Sequence, residues 1–257
     1  MPGFIPWVGG KARLAAAIIA KMPEHNSYVE VFGGGGWVLF NKPKIKTEVY
    51  NDINGDLINL FRAVRDRMIQ FQHRQYFLLS SRQEYNSFRE AWRTCRPKDD
   101  LDRAIMFYYL LKNSFGANIM SGWGYGRQDC ARYPSSLDGL SSIRERLKGT
   151  YIENNSFERC IEIWDHKEAL LYLDPPYFGT EFYYKKGGSR FGMEEHQRLA
   201  DMLRGIKGRF ILSYEDHKEI RKLYRGFKVE TLREVKRSLN NRTDDPKAAM
   251  EILIKNF

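Results

Sequence analysis

Apolar and polar positions along this chain switch between helical and strand spacing, and the switches divide it into three stretches. In the first, Lys11 to Met22 carries an alanine- and isoleucine-rich face and stops at Pro23, which predicts a helix. Tyr28-Val29-Glu30-Val31-Phe32 then reads as a strand that breaks into Gly33-Gly34-Gly35-Gly36, and Glu48-Val49-Tyr50 as a second that ends at Asn51-Asp52. From about Gly55 to Gly149 the spacing is helical, notably over Asp56 to Met68 and Leu101 to Lys112, with a glycine-rich stretch from Phe115 to Arg127. Strand signals resume at Thr150 to Glu153, Ala169 to Leu173, Arg209 to Tyr214, Phe227 to Thr231 and Ala249 to Ile254, separated by helical patterns such as Met193 to Ile206 and His217 to Tyr224. The expected architecture is an α/β sheet of the nucleotide-binding kind, formed by residues 1–55 and 150–257 and interrupted by a mostly helical insert, residues 56–149.

Candidate chemistry gathers where these strands end. Leu170-Leu171-Tyr172-Leu173 runs directly into Asp174-Pro175-Pro176-Tyr177. Pro175 lacks a backbone donor and ends the strand, so the Asp174 carboxylate and the carbonyls beside the prolines are expected at the carboxyl edge of the sheet, where ligands bind. A nucleobase swung out of a helix needs acceptors for its exocyclic amino hydrogens and a face to stack on, which Asp174, the Pro175 carbonyl and Tyr177 can supply. Asp-Pro after a strand is also ordinary turn chemistry. At the first strand end, glycines permit a tight turn and close approach of a ligand to backbone, and Asp52 follows about 20 residues on, where an acidic residue bonds ribose hydroxyls. Phe32 to Trp37 lacks a clean G-x-G-x-x-G, which fits a dinucleotide poorly; S-adenosylmethionine has no pyrophosphate and is not hindered by the difference. Gly9-Gly10-Lys11 is not a P-loop, because Ile5 and Ala12 stand where glycine and serine or threonine are needed.

Composition narrows the partners. Lys and Arg exceed Asp and Glu by 42 to 32, a net charge of +10 that favours a polyanion such as nucleic acid. Arginines are dense from Arg62 to Arg96 and interleave with Tyr76, Tyr85, Phe88 and Trp92, a pattern suited to phosphates and bases, or to a helical hairpin whose rings are core. Cys95, Cys130 and Cys160 are widely spaced and the five histidines do not cluster, so neither a disulfide framework nor a metal site is indicated. No apolar run is long enough for a membrane span, and Met1 to Trp7 does not read as a secretory signal; a cytoplasmic protein without an obligate protein partner is expected.

With Pro-Trp-Val-Gly-Gly-Lys at 6 to 11, Phe-Gly-Gly-Gly-Gly at 32 to 36, Asn-Asp-Ile-Asn at 51 to 54 and Asp-Pro-Pro-Tyr at 174 to 177, the chain resembles the Dam-type (alpha-group) DNA adenine methyltransferases over nearly its whole length. The resemblance implies a Rossmann-like S-adenosylmethionine-dependent methyltransferase sheet with a target-recognition insert, acting on adenine flipped out of double-stranded DNA. It implies that Trp7, Lys11, Asp52 and Asp174 line the cofactor site, with Phe32, Gly33 and Gly35 walling the methionine part and Asp52 on the ribose. Ile53 and Phe157 become apolar faces for the cofactor's adenine, and the contact to its amine falls at Asn155 or Ser156. Asp174, Pro175, Pro176 and Tyr177 become catalytic. For DNA, Ser114, Tyr125 and Arg127 occupy the place of the family's reading hairpin, Arg127 reaching a guanine or a phosphate, and Arg237 and Asn240 lie in a tail of familial pattern. Tyr184, Lys185 and Lys186 belong to a loop that can close on the nucleotide or be mere surface. Three other readings remain open at this point: methylation of the cytosine N4 amine, methylation of RNA, and a catalytically silent DNA-binding relative.

Overall fold

The computed structural model describes residues 4–124, 137–178, 191–235 and 249–257. The chain forms two compact units. One comprises Met1–Ile19, Gly34–Lys44 and Asn54–Ile152; the other comprises Ala20–Gly33, Ile45–Ile53 and Glu153–Phe257.

The strands form a seven-stranded sheet in the order β3-β2-β1-β4-β5-β7-β6, and all of its residues but Tyr151 and Ile152 of β3 lie in the second unit. Its strands are β1 (Ser27–Glu30), β2 (Thr47–Asn51), β3 (Tyr151–Glu153), β4 (Ala169–Leu173), β5 (Arg209–Glu215), β6 (Lys228–Val235) and β7 (Ala249–Lys255). β1 pairs in parallel with β2 and β4, and β4 with β5. β7 enters antiparallel between β5 and β6, with a register irregularity between Thr231 and Arg233. Strand order therefore reverses at β1, which lies between β2 and β4. A crevice for ligands opens outside the carboxyl ends of strands at such a reversal. The core is continuous from Val29 and Val49 through Leu171 and Leu173 to Phe210, Leu212, Ile252 and Ile254. β4 is buried at all five residues, as expected for a central strand covered on both faces.

The other unit is helical: α1 (Ala15–Ile19), α2 (Trp37–Asn41), α3 (Gly55–Asp66), α4 (Met68–Tyr76), α5 (Arg82–Thr94), α6 (Asp100–Asn113) and α7 (Leu140–Leu147). Starts are set by capping side chains: Asn54 accepts from the Asp56 and Leu57 amides, Ser81 from Glu84, and Asp99 from Leu101 and Asp102. The unit's core is aromatic, with Phe4 stacked on Tyr108 and edge-on to Phe61, and Phe40 stacked on Phe61. Helix α1 is shorter than the expected Lys11 to Met22. The Lys11 carbonyl accepts from both Leu14 and Ala15, which leaves an irregular first turn, and Pro23 disfavours helical geometry at Met22. The packed unit takes in residues 4–19 and 34–44 besides the helical middle of the chain.

Candidate active site

Asp174 follows the last residue of β4 and is half-buried, and Pro175 behind it is buried. The Asp174 carboxylate accepts from the Ser213 hydroxyl of β5 at 3.0 Å. The partly exposed Tyr177 ring tilts against Tyr214, centroids 5.7 Å apart, and its hydroxyl donates to the Glu251 carboxylate of β7. Burial holds the Tyr177 phenol well above its ordinary pKa, with the charges of Asp174 and Glu251 acting in the same direction. It therefore stays a neutral donor. Sequence reasoning missed both Ser213 and Glu251.

Beside Asp174, the ends of β1 and β2 and the segment after β3 are laced together by Asn51. Its amide donates to the Val31 carbonyl at 2.9 Å and to the Asn155 carbonyl at 3.1 Å, and its side-chain oxygen accepts from the Asn155 amide at 2.9 Å. Asn51 is buried, and these bonds fix where the half-buried Asp52 stands. The Asp52 amide donates to Glu153, and its carbonyl accepts from the Asn154 side chain. Ile53, next along, is 55% exposed and presents a free apolar face. Phe157 is instead buried, stacked on Phe32 with centroids 5.7 Å apart and tilted against Phe191. Ser156 caps α8 (Phe157–Trp164) by accepting from the Arg159 amide, a role that engages its hydroxyl locally.

The glycine run has a reason the sequence did not disclose: the chain's own rings press against it. A Cβ on Gly33 would overlap the ring of Tyr50. In the helical unit, Gly34 has φ +49° and a Cβ there would meet the Trp7 indole at 2.9 Å, while one on Gly35 would meet Trp37 at 3.0 Å and Trp7 at 3.1 Å. Trp7 and Trp37 thus shape the loop, and Trp37 also closes on Gly10. Lys11 is buried, its ammonium donating to the Gly9 carbonyl at 3.3 Å.

Ser114 opens a tight turn in the same unit, bridged to Trp123, with Phe115 N–H bonded to Gly122 and Gly124 N–H to Asn113. Tyr85 and Arg89 of α5 both donate to the Ser121 carbonyl at 3.0 Å and brace the turn. Tyr85 and Trp92 are buried, so the interleaved rings of this region include core members. Tyr125, Arg127, Tyr184, Lys185, Lys186, Arg237 and Asn240 lie outside the described residues.

Within the sheet unit, then, two carboxylates follow the parallel strands on either side of β1, where strand order reverses, one beside an exposed apolar face and one beside a proline and a tyrosine. The donor set fits a nucleoside with a methionine-like tail: Asp52 suits ribose hydroxyls, Ile53 a flat base, and the Phe32 and Gly33 backbone a short aliphatic chain. Among the described residues no cluster of histidine, cysteine and carboxylate side chains can hold a metal, and no helix is long and apolar enough to cross a membrane.

Residues 7–238 match the family described as D12 class N6 adenine-specific DNA methyltransferase. The chain is 26% identical over 268 residues to the type II methyltransferase M.CviBI of Paramecium bursaria Chlorella virus NC1A, covering 100% of both chains. It is 25% identical to the DNA adenine methylase of Haemophilus influenzae, covering 97% of this chain and 92% of that one. Against the type II methyltransferase M1.LlaDCHI of Lactococcus lactis subsp. cremoris, the identity is 28%, with 99% and 95% covered.

Proposed function

Because the chain belongs to the D12 class of N6 adenine-specific DNA methyltransferases, which methylate adenine in DNA from S-adenosylmethionine, we propose that Asp174, Pro175, Pro176 and Tyr177 carry the transfer and that Asp52 and its neighbours hold the cofactor. The expected fold class, the adenine chemistry and the cofactor stand; cytosine methylation and a silent relative are set aside. The observation that supports the residue assignment is the arrangement within the sheet unit: Asp52 follows β2 and Asp174 follows β4, on either side of β1 where strand order reverses.

S-adenosylmethionine supplies an electrophilic sulfonium methyl, which leaves as the carbon–sulfur bond breaks and a carbon–nitrogen bond forms. The adenine amino nitrogen is a poor nucleophile because its lone pair is delocalised into the ring. Asp174 and the Pro175 carbonyl accept its two hydrogens, which favours a pyramidal nitrogen and offsets the positive charge that develops there. The proton is lost afterwards, since the alkylated nitrogen is strongly acidic, and Asp174 need not be a strong base beforehand. Tyr177 stacks on the extruded base and recovers part of the few kcal/mol that unstacking costs. Its hydroxyl bond to Glu251 keeps that ring in one orientation.

Asp52 bonds the ribose hydroxyls, with Phe32, Gly33 and Ile53 around it. Trp7, Lys11, Gly35, Ser156 and Phe157 are assigned to the cofactor from the sequence motifs alone. Residues 1–55 and 150–257 form the catalytic part and 56–149 the part that reads the target, with Ser114, Tyr125 and Arg127 facing double-stranded DNA and Tyr184, Lys185, Lys186, Arg237 and Asn240 assisting. The net charge of +10 suits that partner. The enzyme works in the cytoplasm without an obligate protein partner.

Asp52→Ala tests the cofactor assignment. Losing a charge-assisted pair of hydrogen bonds weakens S-adenosylmethionine binding about tenfold or more, read by titration calorimetry, with the thermal midpoint held. An unchanged dissociation constant contradicts the assignment.

A further inference from the structure

Ser213 is fully buried in β5, where its neighbours Phe210, Ile211, Leu212 and Tyr214 are all apolar or aromatic and equally buried. Alanine would fill this position with no polar group to desolvate, so the hydroxyl is there for a bond. Three partners surround it: the Asp174 carboxylate at 3.0 Å, the Tyr172 hydroxyl at 3.1 Å and the Leu173 carbonyl at 3.4 Å. A serine hydroxyl has one hydrogen to give. A carboxylate at the shorter distance outcompetes a neutral carbonyl at the longer one, so the hydrogen goes to Asp174. Ser213 then meets Tyr172 as an acceptor, and Tyr172 is the donor. Burial, reinforced by the charge of Asp174, raises the Tyr172 phenol well above its ordinary range, which keeps that hydrogen in place.

We propose that Ser213 is a positioning residue for the methyl transfer: fed by Tyr172, its hydroxyl fixes the rotation of the Asp174 carboxylate and so decides which oxygen meets the adenine amino group. The proposal rests on the assignment of Asp174 made above. Tyr172 sits two residues before Asp174 on β4, and Ser213 stands on the adjacent strand, one residue beyond the Leu173–Leu212 pairing. Both anchors thus belong to central strands of the sheet, whereas Asp174 itself lies just past the end of β4.

The test is a double-mutant cycle read by the single-turnover rate of methyl transfer from S-adenosylmethionine to unmethylated duplex DNA. Ser213→Ala is expected to slow that rate about tenfold, the scale of a small misplacement of a reacting group, with cofactor affinity unchanged and the thermal midpoint lowered only by what the unpartnered Tyr172 hydroxyl costs, a loss that Tyr172→Phe relieves in the double variant. Tyr172→Phe slows it less, and adds nothing in the Ser213→Ala background. Asp174→Asn is run in parallel. If Ser213→Ala keeps the full rate while Asp174→Asn is inactive, the positioning role is overturned and the Asp174 assignment stands. An active Asp174→Asn overturns that assignment and this proposal with it. A slower rate accompanied by a matching loss of cofactor affinity also overturns the proposal, since it marks Ser213 as packing alone. Additive single effects overturn the relay from Tyr172.

Discussion

Replacing Asp174 with asparagine abolishes methyl transfer, by about 10²–10³ or more, the scale set by removing a group aimed at transition-state charge. The two side chains have nearly the same shape, so the fold is untouched and the thermal midpoint stays within a few degrees. What changes is the sign of one atom. Ser213 donates to the carboxylate, and its hydrogen selects the oxygen of the new amide as its partner. The amide nitrogen then occupies the other position and turns its hydrogens toward those of the adenine amino group. An acceptor becomes a donor facing donors, so the substrate amine is repelled where it was held. Asp174→Ala loses the acceptor without adding repulsion and is expected to be no more damaging than Asp174→Asn. The rates are read under single-turnover conditions, which separate chemistry from product release. Asparagine activity above a tenth of the parent's contradicts the role.

Gly33→Ala destabilises the sheet unit by about 2–3 kcal/mol, toward the upper end of what overpacking costs. The added methyl overlaps the Tyr50 ring, which is fully buried in β2. Either the ring or the backbone must yield. The backbone is itself tied, since Gly33 N–H donates to the Asn51 carbonyl at 2.7 Å. Moving it disturbs Asn51, whose amide also holds the Val31 and Asn155 carbonyls. Stability and cofactor binding therefore fall together. The thermal midpoint drops by about 4–12 °C, and the affinity for S-adenosylmethionine falls with it. A variant with the parent's midpoint shows that Tyr50 swings clear at no cost and contradicts the packing account. Gly34 is different in kind, because its φ of +49° burdens any side chain irrespective of the space around it.

What the sequence disclosed and what it concealed divide along the range of the interactions. That Asp174 follows a buried strand was legible because an apolar run ending in Pro-Pro is a local signal, and that Asp52 follows another because a strand pattern and a preceding glycine loop set its spacing. Ser213 and Glu251 were not, since they meet Asp174 and Tyr177 from 39 and 74 residues away and sit inside runs that read as plain strand. Asn51 stands beside a predicted ligand yet acts through three backbone groups of other segments, which no spacing rule encodes. Helices α2 and α8 escaped notice because five and eight residues offer too few turns for a periodic signal. The helical insert was evident from its spacing. That residues 4–19 and 34–44 pack with it was not, because the decision lies in how Phe4 and Phe40 stack on Tyr108 and Phe61, a matter of ring shape and not of local pattern.

The most direct test of the account is the structure of the enzyme bound to S-adenosylhomocysteine and a duplex carrying its target, once sequencing of methylated DNA has mapped that target. The expected result is an adenine outside the helix, its amino nitrogen within about 2.7–3.2 Å of both the Asp174 carboxylate and the Pro175 carbonyl, with the Tyr177 ring against its face. An adenine bound with its amino group away from Asp174, or a Tyr177 ring turned from the base, contradicts it.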